Sequence, residues 1–147
     1  MMLDIARNGR DRKPVSLASV AERTGISRSY LEQLAQGLRN ARLVRGVAGR
    51  HGGYRLARPM EEITIGQIIE GAMGPICVVD CIDDPEGCPR SDYCECRMVY
   101  DLINQRIAEV LEEFTLADLL DSRRMRARRA ELDVRPMIPV GAAHGSE

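Results

Sequence analysis

A chain of 147 residues holds one compact domain, or a small domain with an appended helix and tail. It is 44 % hydrophobic, enough for a core, but only 3 % aromatic with no Trp. No apolar run approaches the ~18–20 residues of a membrane span, and no signal peptide is evident, so a soluble, cytoplasmic protein with no membrane partner is expected.

The net charge of −1 conceals a segregation. Residues 1–58 carry twelve Arg and Lys against four acids, residues 59–121 carry three against fifteen, and the last 26 residues carry six against three. A basic first third is the footprint of a phosphate-binding module. The acidic middle would be repelled by nucleic acid and should lie away from it.

In chain order, Ser16 precedes Leu17–Thr24 and Gly25 follows, a capped short helix with Leu17, Val20 and Ala21 on its apolar face. After the tight Ile26-Ser27 link, Leu31, Leu34 and Leu38, with Ala35 beside them, share one face of a second helix. Ser29 and Glu32 have capping-box spacing, and Ser27 competes as the cap. The pair forms a helix-turn-helix. The polar side of the second helix presents Arg28, Ser29, Glu32, Gln33, Gln36 and Arg39, flanked by Ser27 and Tyr30, groups able to bond base edges or phosphates in a major groove.

Leu43–Val47 and Tyr54–Leu56 read as paired strands around a basic, glycine-rich tip that holds Arg50, His51 and Gly52. His51, alone on such a tip, is better placed to face phosphate or solvent than to bind metal. A helix-turn-helix followed directly by a basic hairpin is a winged helix. Thr64 caps the next helix, whose Ile65, Ile68 and Ile69 are expected to pack under the wing. Residues 74–90 form a loop rich in Gly, Pro, Asp and Cys. A long helix is predicted from Ser91 or Asp92 to about Phe114, with Val99, Leu102, Ile103, Ile107, Val110, Leu111 and Phe114 apolar. That stripe is too rich for solvent, and a second copy of the chain is its expected partner. Thr115–Leu120 reads as a short capped helix, and 122–147 as a mobile tail whose Arg-rich start adds nonspecific DNA affinity. The fold class is therefore mainly α with a small β-hairpin. Its divisions are a winged-helix DNA-binding domain at 1–73, a cysteine-rich loop at 74–96, a dimerisation helix with a short closing helix at 92–121, and the tail.

The five cysteines cluster within residues 77–96, unlike a secreted disulfide framework and like a metal or redox site. The spacing Cys81-x6-Cys88-x5-Cys94 sets soft ligands around a loop containing Gly87, with Cys94 expected in the first turn of the long helix, where the helix dipole stabilises an anionic cluster. Paired C-x2-C knuckles of the zinc-ribbon kind are absent. No phosphate-binding glycine loop leads into a helix and no nucleophile is paired with a His, so an enzyme is not expected.

The run Ser27–Leu34, the Gly52-Gly53-Tyr54 wing, the three spaced cysteines and Thr115–Leu119 together resemble the IscR/NsrR family of bacterial repressors over nearly all of residues 1–121. The resemblance implies a winged-helix homodimer carrying an iron–sulfur cluster (2Fe–2S or 4Fe–4S) whose state changes affinity for promoter DNA. The inputs would be redox state, nitric oxide or iron supply. Two departures stand out. Where members of the IscR type place a His three residues after the third cysteine, this chain has Arg97, which has no free lone pair for iron. The fourth ligand stays open between Cys96, Cys77 and an acidic residue of a second subunit. Residues two apart on a regular helix point to different sides, so use of Cys96 beside Cys94 requires the helix to begin after it. The first helix is reduced to about Met1–Asn8, shorter than family members have, which points to a truncated or misassigned start. The alternative reading is a thiol-redox or zinc-binding winged-helix interaction protein without a cluster.

Overall fold

The computed structural model describes residues 1–9, 13–84, 86–90 and 93–131. The helices are α1 (Met2–Asn8), α2 (Leu17–Thr24), α3 (Arg28–Asn40), α4 (Ile65–Met73), α5 (Asp80–Asp83), α6 (Arg97–Glu113), α7 (Leu116–Leu120) and α8 (Ser122–Glu131). A two-stranded antiparallel sheet, β1 (Val44–Val47) and β2 (Gly53–Leu56), follows α3, and a 3-10 turn (Met60–Glu62) precedes α4.

Local chemistry sets the helix-turn-helix. Ser16 Oγ accepts from Ser19 N at 3.1 Å, which satisfies one of the amide donors that a helix start leaves unpaired. Gly25 ends α2 at φ +73°, a conformation that costs a glycine little. Ser27, not Ser29, caps α3, accepting from Tyr30 N at 3.4 Å. Leu31, Ala35 and Leu38 then fall on the buried side with Val20, Leu43 and Val44. From the other side α1 adds Met2 and Ile5 to this core and is clamped to α2 by a two-pronged ion pair. Arg23 Nε donates to Asp4 Oδ1 at 2.8 Å, and Nη2 to Oδ2 at 2.6 Å. The Arg23 bond holds the Asp4 carboxyl below its usual range.

The hairpin register pairs Val44 with Leu56 and Val47 with Gly53. Val15 extends it by one bridge, exchanging bonds of 2.9 and 2.8 Å with Tyr54. Gly53 permits the approach: a Cβ there would strike the Val15 carbonyl, and its φ is +153°.

Thr64 and Gln67 form a reciprocal capping box at the start of α4. The helix packs chiefly on α3 and α6 rather than under the wing as the sequence suggests. The cause is a glycine contact: a Cβ on Gly37 would collide with the Gly71 carbonyl, and one on Gly71 would lie 2.8 Å from Ala41 Cβ. Gly37→Ala gains about 1 kcal/mol of helix propensity but overpacks against backbone, which costs about 1–3 kcal/mol. Because the backbone carbonyl cannot swing aside as a side chain would, net destabilisation is expected, visible as a thermal midpoint lowered by several degrees. An unchanged or raised midpoint would disprove the contact.

The chain returns to the same place after α6. Ile65 N donates to Phe114 O and Leu116 N to Ile63 O, both at 2.8 Å, around a Thr64–Thr115 bridge with Ile63 and Leu116 fully buried. Thr115 opens α7 with a second capping box. Its partner Asp118 is only 6 % exposed and accepts from Thr115 N at 2.9 Å and Thr115 Oγ1 at 2.8 Å. Burial pushes the Asp118 carboxyl up, but the Thr115 bonds and the nearby Arg128 and Arg124 outweigh it and hold it low.

Two boundaries differ from the sequence reading. The long helix opens at Arg97, not at Ser91 or Asp92, which lie outside the described residues. The segment from Ser122, which the sequence assigns to a mobile tail, is helical as far as Glu131, and residues 132–147 lie outside the described residues. Among the described residues, no helix is long and apolar enough to cross a membrane.

Candidate nucleic-acid interface and cysteine segment

With its apolar side turned into the core, α3 leaves Ser27, Arg28, Ser29, Tyr30, Glu32, Gln33, Gln36 and Arg39 on its outer side. Arg28 Nε and Glu32 Oε1 pair at 2.9 Å one turn apart, both well exposed. In water such a pair contributes only about 0.3–0.5 kcal/mol, so Glu32 is easily released to another donor.

Arg50 and His51 are exposed at the hairpin tip. Gly52 N donates to Gly49 O at 2.9 Å, and a Cβ on Gly52 would strike the Val47 carbonyl, so the tip requires glycine there. The tip folds towards the start of α2. There Ser16, Ser19, Arg23, Arg50 and His51 line an open cleft of about 350 Å³. A neighbouring cleft is bounded by Ser16, Leu17, Arg28, Glu32, Gly53 and Tyr54. The structure thus brings the wing and the first turn of α3 to either side of the α2 N-terminus. Sequence reasoning treats Ser16 only as a cap and passes over Ser19. Nothing local marks Ser19, because the wing brings it into the cleft.

The cysteines lie on a different segment. Cys77 Sγ donates to Val79 O at 3.0 Å. Cys81 sits on α5, Cys88 in the following loop, Cys94 just before α6, and Cys96 at the α6 cap. All five are free thiols, half-buried except the exposed Cys96. α5 packs on α6, and Val78 N donates to Asn104 Oδ1 of α6 at 3.1 Å. The sequence puts Cys94 in the first helical turn, but it lies two residues before the cap, with its carbonyl accepting from Arg97 N at 3.1 Å. Regular helical phasing therefore does not separate Cys94 from Cys96, and the condition set for Cys96 as a ligand is met. The donor chemistry, soft thiols on one short segment, suits an iron–sulfur cluster. Among the described residues, however, no three His, Cys, Asp or Glu side chains converge closely enough to hold a metal ion.

α6 buries none of its side chains fully. Leu102 is 55 % exposed and Val110 45 %, and with Ile103, Ile107 and Leu111 they line an open apolar groove edged by Arg106.

Residues 1–122 match the Rrf2 family, described as iron-dependent transcriptional regulators. Protein rrf2 of Nitratidesulfovibrio vulgaris is 38 % identical over 120 residues, covering 82 % of this chain and 79 % of its own. Among solved structures, CymR, described as the global cysteine regulator of B. subtilis, is 36 % identical with a TM-score of 0.62, over 80 % of this chain and 85 % of its own. T. potens IscR is 35 % identical with a TM-score of 0.61, over 92 % and 84 %. The capped helix-turn-helix, the hairpin wing and this kinship agree: the chain belongs to the Rrf2 family of winged-helix transcriptional regulators and is a DNA-binding protein rather than an enzyme.

Proposed function

We propose that this chain is a homodimeric repressor whose affinity for promoter DNA is controlled by an iron–sulfur cluster held by Cys81, Cys88 and Cys94. The observation that carries the reading is the placement of these free thiols on one segment seated against α6, the helix with the unpartnered apolar face. The family description as iron-dependent and the likeness to an IscR support it. When bound, the cluster supplies a linkage between the 74–96 segment and the foot of α6 that responds to redox state, nitric oxide or iron supply. Because the thiols are not converged, loading would close the segment around the cluster. α6 packs on α4, and α4 meets α3 at Gly37 and Gly71, so a change at the cysteines has a packed route to the reading helix. Residues 1–73 would read the DNA and 92–121 would join the subunits.

On the DNA, α3 would enter the major groove while Arg50, His51 and Gly52 approach the backbone. Glu32→Ala is expected to change sequence preference, since a carboxylate can accept from cytosine N4. Arg50→Ala is expected to weaken binding to all sequences alike and to lower the salt slope by about 0.9 for each phosphate that is no longer neutralised. Gel shifts across a salt series check both, and salt-insensitive binding would remove the electrostatic part of the reading.

A second reading, thiol-redox sensing without a cluster, draws on the unconverged thiols and the likeness to a cysteine regulator. Anaerobic purification separates the two. A brown protein with stoichiometric iron and sulfide, whose DNA affinity changes when the cluster is removed, supports the first. A colourless protein whose affinity follows thiol oxidation supports the second.

A further inference from the structure

Five of the ten residues of α8 are arginines: Arg123, Arg124, Arg126, Arg128 and Arg129. All are exposed, and of these five only Arg128 forms an ion pair with a described residue, Glu131 at 3.3 Å. Such a helix opposes itself, since like charges three and four residues apart destabilise it. What fixes it is local. Asp121 Oδ1 accepts from Arg123 N at 2.8 Å and Arg124 N at 3.4 Å, and α8 packs on α7, with Met125 half-buried. Arg124 and Arg128 lie near enough to the Asp118 carboxyl of α7 to stabilise its charge. Arg123, Arg126 and Arg129 recur at three-residue intervals on a separate stripe, spanning about 9 Å of helix.

We propose that α8 is a second DNA-contacting element, its Arg123–Arg126–Arg129 stripe gripping backbone phosphates that flank the sequence read by α3. The inference rests on the DNA-binding role of the winged helix and extends it beyond that unit. Arginine forks suit phosphate oxygens, and a polyanion would relieve the repulsion within the helix. The seating of α8 points the same way. It rests on α7, which packs against α1, and α1 packs against β2 of the wing. Through α7 the stripe is thus joined to α1 and β2 of the basic first third. Phosphate contacts add affinity without reading bases, so the stripe strengthens binding to every sequence equally.

The test uses the full-length protein and a random-sequence duplex, with affinity followed by fluorescence anisotropy across a salt series. R123Q/R126Q/R129Q keeps helix propensity but removes three charges. Its log–log salt slope is expected to be shallower by about 2–3 for each subunit engaged, with affinity at low salt lower by roughly tenfold or more. R123K/R126K/R129K is expected to keep the slope, because a phosphate accepts either cation. Equal slopes for the unmodified protein and the Gln variant would overturn the proposal. So would a Lys variant whose slope falls as that of the Gln variant does, since the arginines would then be acting through the fold. An unmodified protein that does not bind the duplex even at low salt would defeat the DNA-binding reading itself, an outcome distinct from the other two.

Discussion

Serine at Cys81, Cys88 or Cys94 should leave protein reconstituted without oxygen with little or no iron and sulfide. The substitution keeps the size of the side chain but replaces a soft thiolate by a hard, poorly ionised oxygen, and iron–sulfur clusters favour thiolate. Cys77→Ser should retain the cluster, because the Cys77 thiol already donates to the Val79 carbonyl, a bond that a hydroxyl reproduces. Cys96 is the informative position. Its place at the cap, outside the regular turns of α6, frees it from the phasing that would turn it away from Cys94. Cys96→Ser is therefore expected to lower iron content, though less than the other three. Full iron in that variant would assign the fourth ligand elsewhere. Loss of cluster confined to Cys77→Ser and Cys96→Ser, with the other three variants intact, would overturn the assignment. Iron and acid-labile sulfide assays on the five single variants provide the measurement.

Leu102→Asp combined with Val110→Asp should give a monomer without specific DNA binding. Burying one such side chain contributes about 1.5–3 kcal/mol. A two-fold interface uses each residue twice, so the pair should raise the dimer dissociation constant on the order of a thousandfold or more. A monomer presents one α3 to one half-site, and specific affinity falls because the second half-site goes unread. The variant separates assembly from folding, because both side chains are about half exposed in the single chain and lie outside its buried core. Sedimentation and circular dichroism together check this: a lighter species with unchanged helix content is the expected result. Sedimentation of the unmodified protein as a stable monomer at micromolar concentration would sink the dimer.

The winged helix is legible in the sequence because its signals are local. Ser16, Gly25, Ser27, Thr64 and Thr115 mark their helix ends through bonds to nearby backbone, and Leu31, Ala35 and Leu38 declare the buried side of α3 by spacing. The start of α6 is not legible, because Cys96 caps it without a side-chain hydrogen bond whereas Ser91 and Asp92 have the chemistry of a cap. α8 escapes notice for a related reason. It has no apolar side, and what sustains it is arginine's good helix propensity and the Asp121 contact. The α3–α4 contact depends on two glycines 34 residues apart, and no local pattern says which helix a glycine admits. At the candidate site, the outward residues of α3 follow from its period, whereas Ser19 enters only because the wing folds towards α2.

The clasp at Thr64 and Thr115 has an architectural consequence. The chain enters α4 at Ile65 and comes back to the same point at Phe114 through adjacent main-chain bonds, and those bonds depend on no side chain between. Beyond α4, which stays seated on α3, the cysteine segment and α6 thus form an excursion whose return is closed at this clasp. Loop-closure entropy grows only slowly with length, so such an excursion can lengthen, shorten or exchange its ligands at little cost to the frame that carries it. On the proposed reading, sensing chemistry would be a replaceable cartridge plugged into a constant reader. A regulator of cysteine and an IscR, both similar in structure to this chain, are what such a division of labour would produce.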